Sequence, residues 1–397
     1  MKSLSKEILN IAPSLTVSID TLAKKLKSGG KDVISLGAGE PDFPTPLDVQ
    51  KAGISAITEG KTRYTAPAGI LEVREAVCNK LSKQNRLQYA PEQIIMTSGA
   101  KHAVFNALLS ILNPGDEVII PSPYWVTYPE LVKLLGGKPV IVETLEDDDF
   151  QMKASALERA ITPKTKCVIL NNPTNPTGTL YTKENLEDLS EVIVSHDLYA
   201  LSDEVYEHFT YNRTFTSLAA LPGMQERTLL VNGLSKSHCM TGWRIGYVAA
   251  PLEIAKLIAK AQGQTTHHPS NVAQYAAKAA LEMPLDTVYK MRDAFLERRN
   301  YIHSELMTIS GVKAMLPNGA FYLFANIQDL FGKHTPAGKL IDDSAAFCTY
   351  LLENEGLAIV PGSAFGCEGY VRISYAASLD TLKKAVERFK KGVLSLC

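Results

Sequence analysis

The sequence contains no pair of cysteines at CxxC spacing; its six cysteines, Cys78, Cys167, Cys239, Cys348, Cys367 and Cys397, are scattered along 397 residues. That excludes a zinc ribbon and a secreted disulfide framework, and it fits a reducing compartment. No apolar run approaches the roughly 18 residues that a membrane helix needs. The opening residues, Met1-Lys2-Ser3-Leu4-Ser5-Lys6-Glu7, lack the apolar stretch of a signal peptide. The chain therefore reads as cytoplasmic, with no membrane partner. Neither sign of charge is in excess: 41 Lys+Arg against 42 Asp+Glu give a formal net charge of −1, and no block of five like charges occurs. Nucleic-acid and membrane-surface proteins usually carry a basic excess or stripe, so neither partner is expected. What is present is an ordinary globular composition, 45% hydrophobic. A single core stops growing at roughly 250–300 residues, so this length implies two domains or a large domain with a smaller appendage.

Between about residues 94 and 250, short apolar runs alternate with amphipathic stretches. The runs are Ile94 to Thr97, Glu117 to Ile120, Pro139 to Val142, Cys167 to Leu170, Leu198 to Ser202 and Leu229 to Val231. Such runs between helical patterns, as at His102 to Leu112 and Leu186 to Val194, predict the buried strands of a largely parallel sheet covered by helices. Sheets of this kind bind ligands outside the carboxyl ends of their strands. The last hundred residues read as a small α+β domain, with helices predicted over Thr287 to Leu306 and Ser344 to Glu355 and strands over Ala320 to Phe324 and Tyr370 to Ser374. Gly37, Gly39, Pro41 and Pro44 make the end of the first ~45 residues an extended arm and not a core element. The expected division is an arm with part of the small domain over 1–45, a large domain over 46–290 and a small domain over 291–397.

Gly37-Ala38-Gly39-Glu40-Pro41-Asp42 half-matches the dinucleotide GxGxxG pattern, but the third glycine is missing and Pro41 would interrupt the helix that should follow. A tight loop is the alternative. Thr97-Ser98-Gly99-Ala100-Lys101 follows a predicted strand and opens a helix, which is either a phosphate cradle or a plain helix cap. In Asn171-Asn172-Pro173-Thr174-Asn175-Pro176-Thr177-Gly178, two prolines and a glycine fix a loop, as is needed if Asn175 is to hold its amide rigidly toward a ligand. Asp203 ends a strand within Asp203-Glu204-Val205-Tyr206; alone it would read as a turn or cap residue. Lys236 lies just beyond the strand Thr228 to Asn232. Either it is solvated, or apolar walls desolvate it and lower its pKa toward the neutral amine that Schiff-base formation requires.

Taken together, Gly39-Glu40-Pro41-Asp42-Phe43, Pro123-Tyr124-Trp125, Asn172 to Gly178, Ser202 to Tyr206, Lys236 to Gly246 and Arg372-Ile373-Ser374 make the chain resemble, over essentially its whole length, the class I pyridoxal-phosphate aminotransferases of fold type I. The resemblance is nearest to the Ib branch of aspartate aminotransferases. It implies an α/β fold with a large, mostly parallel sheet domain and a small α+β domain, pyridoxal 5'-phosphate as cofactor, and no metal. It also implies reversible amino transfer from L-aspartate to 2-oxoglutarate, giving oxaloacetate and L-glutamate.

By the same resemblance, Lys236 would carry the cofactor and shuttle the substrate proton, and Asp203 would pair with the ring nitrogen. Tyr206 and Asn175 would bond the ring's phenolic oxygen, and Trp125 would stack on the ring. Ser98, Gly99, Ala100, Ser235 and Arg244 would hold the phosphate, reached also by Tyr64 of the neighbouring subunit in a homodimer with shared sites. Arg372 would bind the substrate α-carboxylate, helped by Asn175 and the Gly39 backbone, and would draw the small domain onto the large one. Lys101, and Trp125 with it, would face the rest of the substrate, a cation there favouring dicarboxylates. Members that also use prephenate resemble this chain but carry a lysine before the Pro-Ser pair, where Ala12 precedes Pro13-Ser14 here. Cys239 stands close behind the lysine where the family has a small non-thiol residue.

Two further functions share these motifs. A pyridoxal-phosphate lyase acting at the β-carbon of a sulfur amino acid would keep Lys236 but need no ketoacid. A non-enzymatic cofactor-binding regulator would be expected to carry a basic DNA-binding domain, and nothing of that kind precedes the core.

Overall fold

The computed structural model describes residues 4–9, 11, 12 and 15–397, so the Pro13-Ser14 pair lies outside the described residues. The strands, in chain order, are β1 (Ile34–Ser35), β2 (Ile94–Thr97), β3 (Glu117–Ser122), β4 (Lys138–Glu143), β5 (Thr165–Asn171), β6 (Tyr199–Asp203), β7 (Thr228–Gly233) and β8 (Gly246–Ala249), followed by β9 (Lys313–Ala314), β10 (Tyr322–Asn326), β11 (Leu357–Ala358), β12 (Val360–Pro361) and β13 (Tyr370–Ser374). Seven of them form one sheet in the order β2-β8-β7-β6-β5-β3-β4. Neighbours from β7 to β4 run parallel, while β8 is antiparallel to both β2 and β7.

The six apolar runs of the sequence all fall on strands of this sheet, with ends shifted by no more than two residues. Nearly all side chains along β2, β5, β6 and β7 are buried, as continuous apolar strands covered on both faces require. The seventh strand, β8, is four residues long and sits between Arg244 and Pro251, too short to stand out as a separate apolar run. Helices Ala100–Ile111 and Lys183–Ser195 pack on the sheet; the second is capped by Thr182, whose hydroxyl accepts from the Asn185 amide at 3.1 Å.

The second sheet is four-stranded and antiparallel, in the order β12-β13-β10-β9. Its core joins Phe321, Leu323, Phe347, Ile373, Tyr375 and Phe389 to Tyr206, Phe209 and Tyr211, which follow β6 of the large sheet. One apolar cluster thus spans the segment after β6 and the small sheet, and it sets where the two meet.

The residues just ahead of the Gly37–Pro44 arm pack into the small sheet. Leu36 is only 2% exposed and belongs to the small sheet's core, its carbonyl accepts from the Ser374 amide at 2.9 Å, and β1 pairs in parallel with β11. The glycines and prolines after it do form an irregular segment, but the residues just before them complete the C-terminal layer. Periodicity could not expose this, because a two-residue strand carries no repeat to read.

Candidate active site

A cavity of about 360 Å³ opens at the carboxyl ends of β5, β6 and β7. Its walls include Gly39, Ala100, Lys101, Trp125, Asn175, Asp203, Tyr206, Ser235, Lys236, Arg244 and Arg372. Residues from both ends and the middle of the chain therefore share one space, which is where a sheet of this topology places ligands.

Asn171 ends β5, directly opposite Asp203 at the end of β6. The Asn171 side chain accepts from the Asn175 amide at 2.7 Å and donates to the Asp203 carbonyl at 3.0 Å, so it ties the proline loop to the neighbouring strand end. The peptide bonds before Pro173 and Pro176 are cis. Gly178 has φ +69°, and a Cβ there would come within 2.6 Å of Pro317, so glycine is needed for the loop to touch the approach to β10. Asn175 thus sits on a loop held at both ends, with its Oδ1 accepting from Arg372 Nη1 at 2.8 Å.

Asp203 is buried and accepts from the Tyr128 hydroxyl at 2.7 Å and from the Val205 amide at 3.3 Å. Burial outweighs these bonds and the Lys236 charge, and it pushes the carboxyl up to about 6. The Tyr206 hydroxyl is 2.7 Å from that of Tyr322, a strand residue of the small sheet that also borders the cavity. The Lys236 amine donates to the Gly39 carbonyl. Burial, helped by the guanidinium groups of Arg372 and Arg244, brings it down to about 8 against the opposing pull of Glu40 and Asp203. The desolvated alternative for this lysine is the one the structure realises.

Helix Ala100–Ile111 points its N-terminus at the cavity, with Gly99 in the cap position at φ +86°. A Cβ on Gly99 would lie 2.6 Å from Arg244 Nη2, so only glycine lets that guanidinium reach the helix end. Arg244 also donates to the Thr241 carbonyl at 2.8 Å. Free helix N–H groups beside a guanidinium form a site for a dianion. Ala100 and Lys101 line the cavity directly; Ser98 and Gly99 lie behind them against Arg244, with the Ser98 amide donating to His102 Nδ1 at 3.2 Å. Lys101 Nζ stands 5.0 Å over the Trp125 ring, and partial desolvation and then Arg244 lower its pKa.

Arg372 lies at the middle of β13, between Val360 and Phe324. It is buried, with its guanidinium 4.6 Å from the Tyr322 ring and 4.9 Å from that of Phe365, and its Nη2 donates to the Gly37 carbonyl at 2.5 Å. Nε has no hydrogen-bond partner among the described residues. Gly37 and Gly39 both line the cavity, the Gly37 carbonyl taking Arg372 and the Gly39 carbonyl taking the Lys236 amine. Tyr64 is 88% exposed, with His267 and His268 edge-on to its ring at 5.5 and 5.8 Å, and it is not part of its own chain's cavity.

Sequence reasoning passes over Tyr128, Asn171 and Tyr322. Tyr128 stands at the start of a short helix after Pro123-Tyr124-Trp125, and Tyr322 stands inside an apolar run that reads as strand, so neither carries a signal of its own. Asn171 opens its proline loop in the sequence, but its side-chain bonds become visible only once β5 and β6 are paired.

Glu204, next to Asp203, is completely buried. Its Oε1 accepts from Ser202 and Ser217 at 2.8 and 2.7 Å, and Oε2 has no partner among the described residues. Burial, and then the Glu207 charge, push its carboxyl up to about 8 from an ordinary 4.5. A group raised in this way contributes stability that is fully present below its unfolded value and is lost as pH rises through its folded one, here between about 4.5 and 8. Glu204→Gln, which cannot ionise and still offers the serines an acceptor, is expected to melt close to the parent at about pH 5 and several degrees above it at about pH 9. Calorimetry at the two pH values checks this; an equal offset at both would contradict the assignment.

Residues 31–389 match the family model "Aminotransferase class I and II". The chain is 45% identical over 392 residues to an aspartate aminotransferase of Bacillus subtilis, covering 98% of each. It is 45% identical to a bifunctional aspartate aminotransferase and glutamate/aspartate-prephenate aminotransferase of Petunia hybrida, covering 99% of this chain and 83% of the other. Among solved structures, the aspartate aminotransferase of Rhizobium meliloti superposes with a TM-score of 0.96 at 42% identity, covering all of both chains. The chain belongs to the class I and II aminotransferases, pyridoxal-phosphate-dependent enzymes of fold type I.

The cavity fits that cofactor on its own chemistry. It offers a desolvated lysine amine, a helix N-terminus beside a guanidinium for a phosphate, and a buried carboxylate held by Tyr128 that could pair with a protonated ring nitrogen.

Proposed function

We propose that this enzyme transfers the amino group of L-aspartate to 2-oxoglutarate, forming oxaloacetate and L-glutamate in two half-reactions at one site. The observation that carries the reading is that Arg372 and Lys101, two cations on separate elements, line the same cavity as Lys236. A substrate with two carboxylates satisfies both cations; a monocarboxylate leaves one unpaired.

Pyridoxal phosphate, when bound, supplies an electron sink for the pair released when the substrate loses its α-proton. The chain's own residues do the rest. Lys236 would hold the cofactor, and its Nζ, as a free amine, would take the proton from the substrate α-carbon and hold it as an ammonium for return. An amine brought down to about 8 can do both near neutral pH. Asp203, held by Tyr128, would keep the ring nitrogen protonated, and Tyr206 and Asn175 would bond the phenolic oxygen. Ser98, Gly99, Ala100, Ser235 and Arg244 would hold the phosphate, and Trp125 would stack on the ring. Arg372 binds the α-carboxylate through its fork, and Lys101 binds the distal one.

Because Arg372 belongs to the small sheet, substrate binding draws residues 291–397 and part of 1–45 onto residues 46–290. The enzyme works as a cytoplasmic homodimer in which Tyr64 reaches the partner's phosphate site. The exposure of that ring beside His267 and His268, outside its own cavity, supports this reading. Ala12, in place of a lysine, favours aspartate over prephenate; its amide donates to Glu130 at 3.0 Å.

The test is the visible spectrum of the holoenzyme. A cofactor band that bleaches with L-aspartate and returns with 2-oxoglutarate supports the transaminase. An unchanged band with aspartate, together with pyruvate release from cysteine, would replace it with the lyase; turnover of prephenate at a rate matching oxaloacetate would broaden the specificity. Lys101→Ser is expected to raise the Michaelis constant for aspartate by roughly tenfold or more, on the order of 1–2 kcal/mol for one charged contact, with little change for alanine. Equal changes for both donors would remove Lys101 from specificity.

A further inference from the structure

Behind the cavity wall lies a polar cluster that the reaction does not use. Glu207 is buried, and both of its oxygens are engaged: Oε1 by the Lys80 ammonium and, at 2.6 Å, by Asn232 Nδ2; Oε2 by Asn85 Nδ2 at 2.7 Å. Lys80 is itself buried and donates to Asn85 Oδ1 at 2.8 Å, and His208 Nε2 stands 3.8 Å from Oε1. Lys80 and Asn85 are brought together by a wide π-turn over Leu81–Asn85, a rare geometry that costs helix regularity and is frequent at functional sites. Although burial opposes ionisation, the Lys80 and His208 charges and the hydrogen bonds outweigh it and bring the Glu207 carboxyl down to about 2, so the group stays charged.

This carboxylate bonds the end of β7 through Asn232 and is carried on the segment that follows the end of β6, and both strand ends border the cavity. Glu207 directly follows Tyr206 and comes shortly after Asp203 in the same segment. Asn232, bonded to Glu207, is the next-to-last residue of β7, just ahead of Lys236, and its Oδ1 accepts from the Gly233 amide at 2.7 Å. Ser237 and His238, just past Lys236, border the same small void as Lys80 and Glu207. A buried ion pair is a poor source of stability, because apolar residues of similar volume usually serve as well. Its presence at the joint between the Asp203–Tyr206 segment and the Asn232–Lys236 segment calls for another use.

We propose that Glu207 is a positioning residue: through Asn232 it sets the spacing between the ring contacts Asp203 and Tyr206 and the amine of Lys236, and Lys80 with Asn85 holds it in place. The inference rests on the cofactor roles given above.

The test compares two holoenzymes. In Lys80→Met/Glu207→Gln the charges are gone, but the amide oxygen introduced by the substitution still offers Asn232 an acceptor; in Lys80→Met/Glu207→Leu no acceptor is left. The first is expected to keep the parent's visible circular dichroism, which reports how the bound cofactor is held. The second is expected to lose or shift that signal and to drop in kcat by roughly tenfold to a hundredfold, the scale of a misplacement near 1 Å, with a smaller change in KM for aspartate. Indistinguishable signals and kcat in the two variants would overturn the proposal. If the leucine variant does not fold, Asn232→Ala decides, since it cuts the link and leaves the ion pair intact; a parental dichroism and kcat there would overturn the proposal equally. A parent protein with no cofactor band at all would refute the cofactor reading, a result distinct from failure of the positioning role.

Discussion

Replacing Lys236 with alanine is expected to reduce turnover by at least about 10⁴-fold while leaving the folded protein intact. The amine is assigned two tasks, holding the cofactor and moving the α-proton, and no other lysine in the cavity can take over both. Lys101 is at the cavity's solvent side, against Trp125 and near Arg244. The fold should survive because the phosphate, ring and carboxylate contacts come from other elements; the wall loses only the amine's bond to the Gly39 carbonyl. The measurement pairs single-turnover kinetics with a melting curve. Near-parental turnover would overturn the assignment, and a melting loss large enough to unfold the variant would assign Lys236 a structural role instead.

Arg372→Leu is the second large effect. Removing one partner of a buried, forked charge contact costs about 3 kcal/mol or more in binding, roughly a hundredfold in kcat/KM. The loss should fall on aspartate, glutamate and alanine alike, because all three share the α-carboxylate. That uniformity separates Arg372 from Lys101, whose removal should spare alanine. Arg372→Lys is not a safe substitute, since an ammonium cannot reproduce the fork that reaches Asn175 and Gly37 together. If Arg372→Leu spared alanine, its assignment to the shared carboxylate would fail.

The parts of the fold with strong repeats are readable from sequence. The strands of the large sheet are largely buried on both faces, so most announce themselves as apolar runs, and the helix Ser344–Glu355 has the bounds its pattern predicts. The chemistry-bearing residues are readable because glycine, proline, lysine and aspartate stand at strand ends, where such residues are seldom neutral. What stays hidden depends on pairing across long separations. Tyr128 and Asn171 matter only through Asp203, Tyr322 only through Tyr206, and the place of Leu36 in the core only through Ser374. The Lys80–Glu207 pair is invisible for the same reason, as each residue alone reads as an ordinary surface charge.

The Arg372 bond to Gly37 spans 335 positions of sequence. The wall facing the cofactor, from Ser98 to Arg244, is by contrast one continuous stretch. Even so, the end of β2 that carries Ser98 is joined to the end of β7 through β8 (Gly246–Ala249), which follows that stretch, and the carboxylate-binding end closes only when the two ends of the chain meet. Contacts between such distant positions form late. The grip on the substrate carboxylate therefore waits for nearly the whole chain.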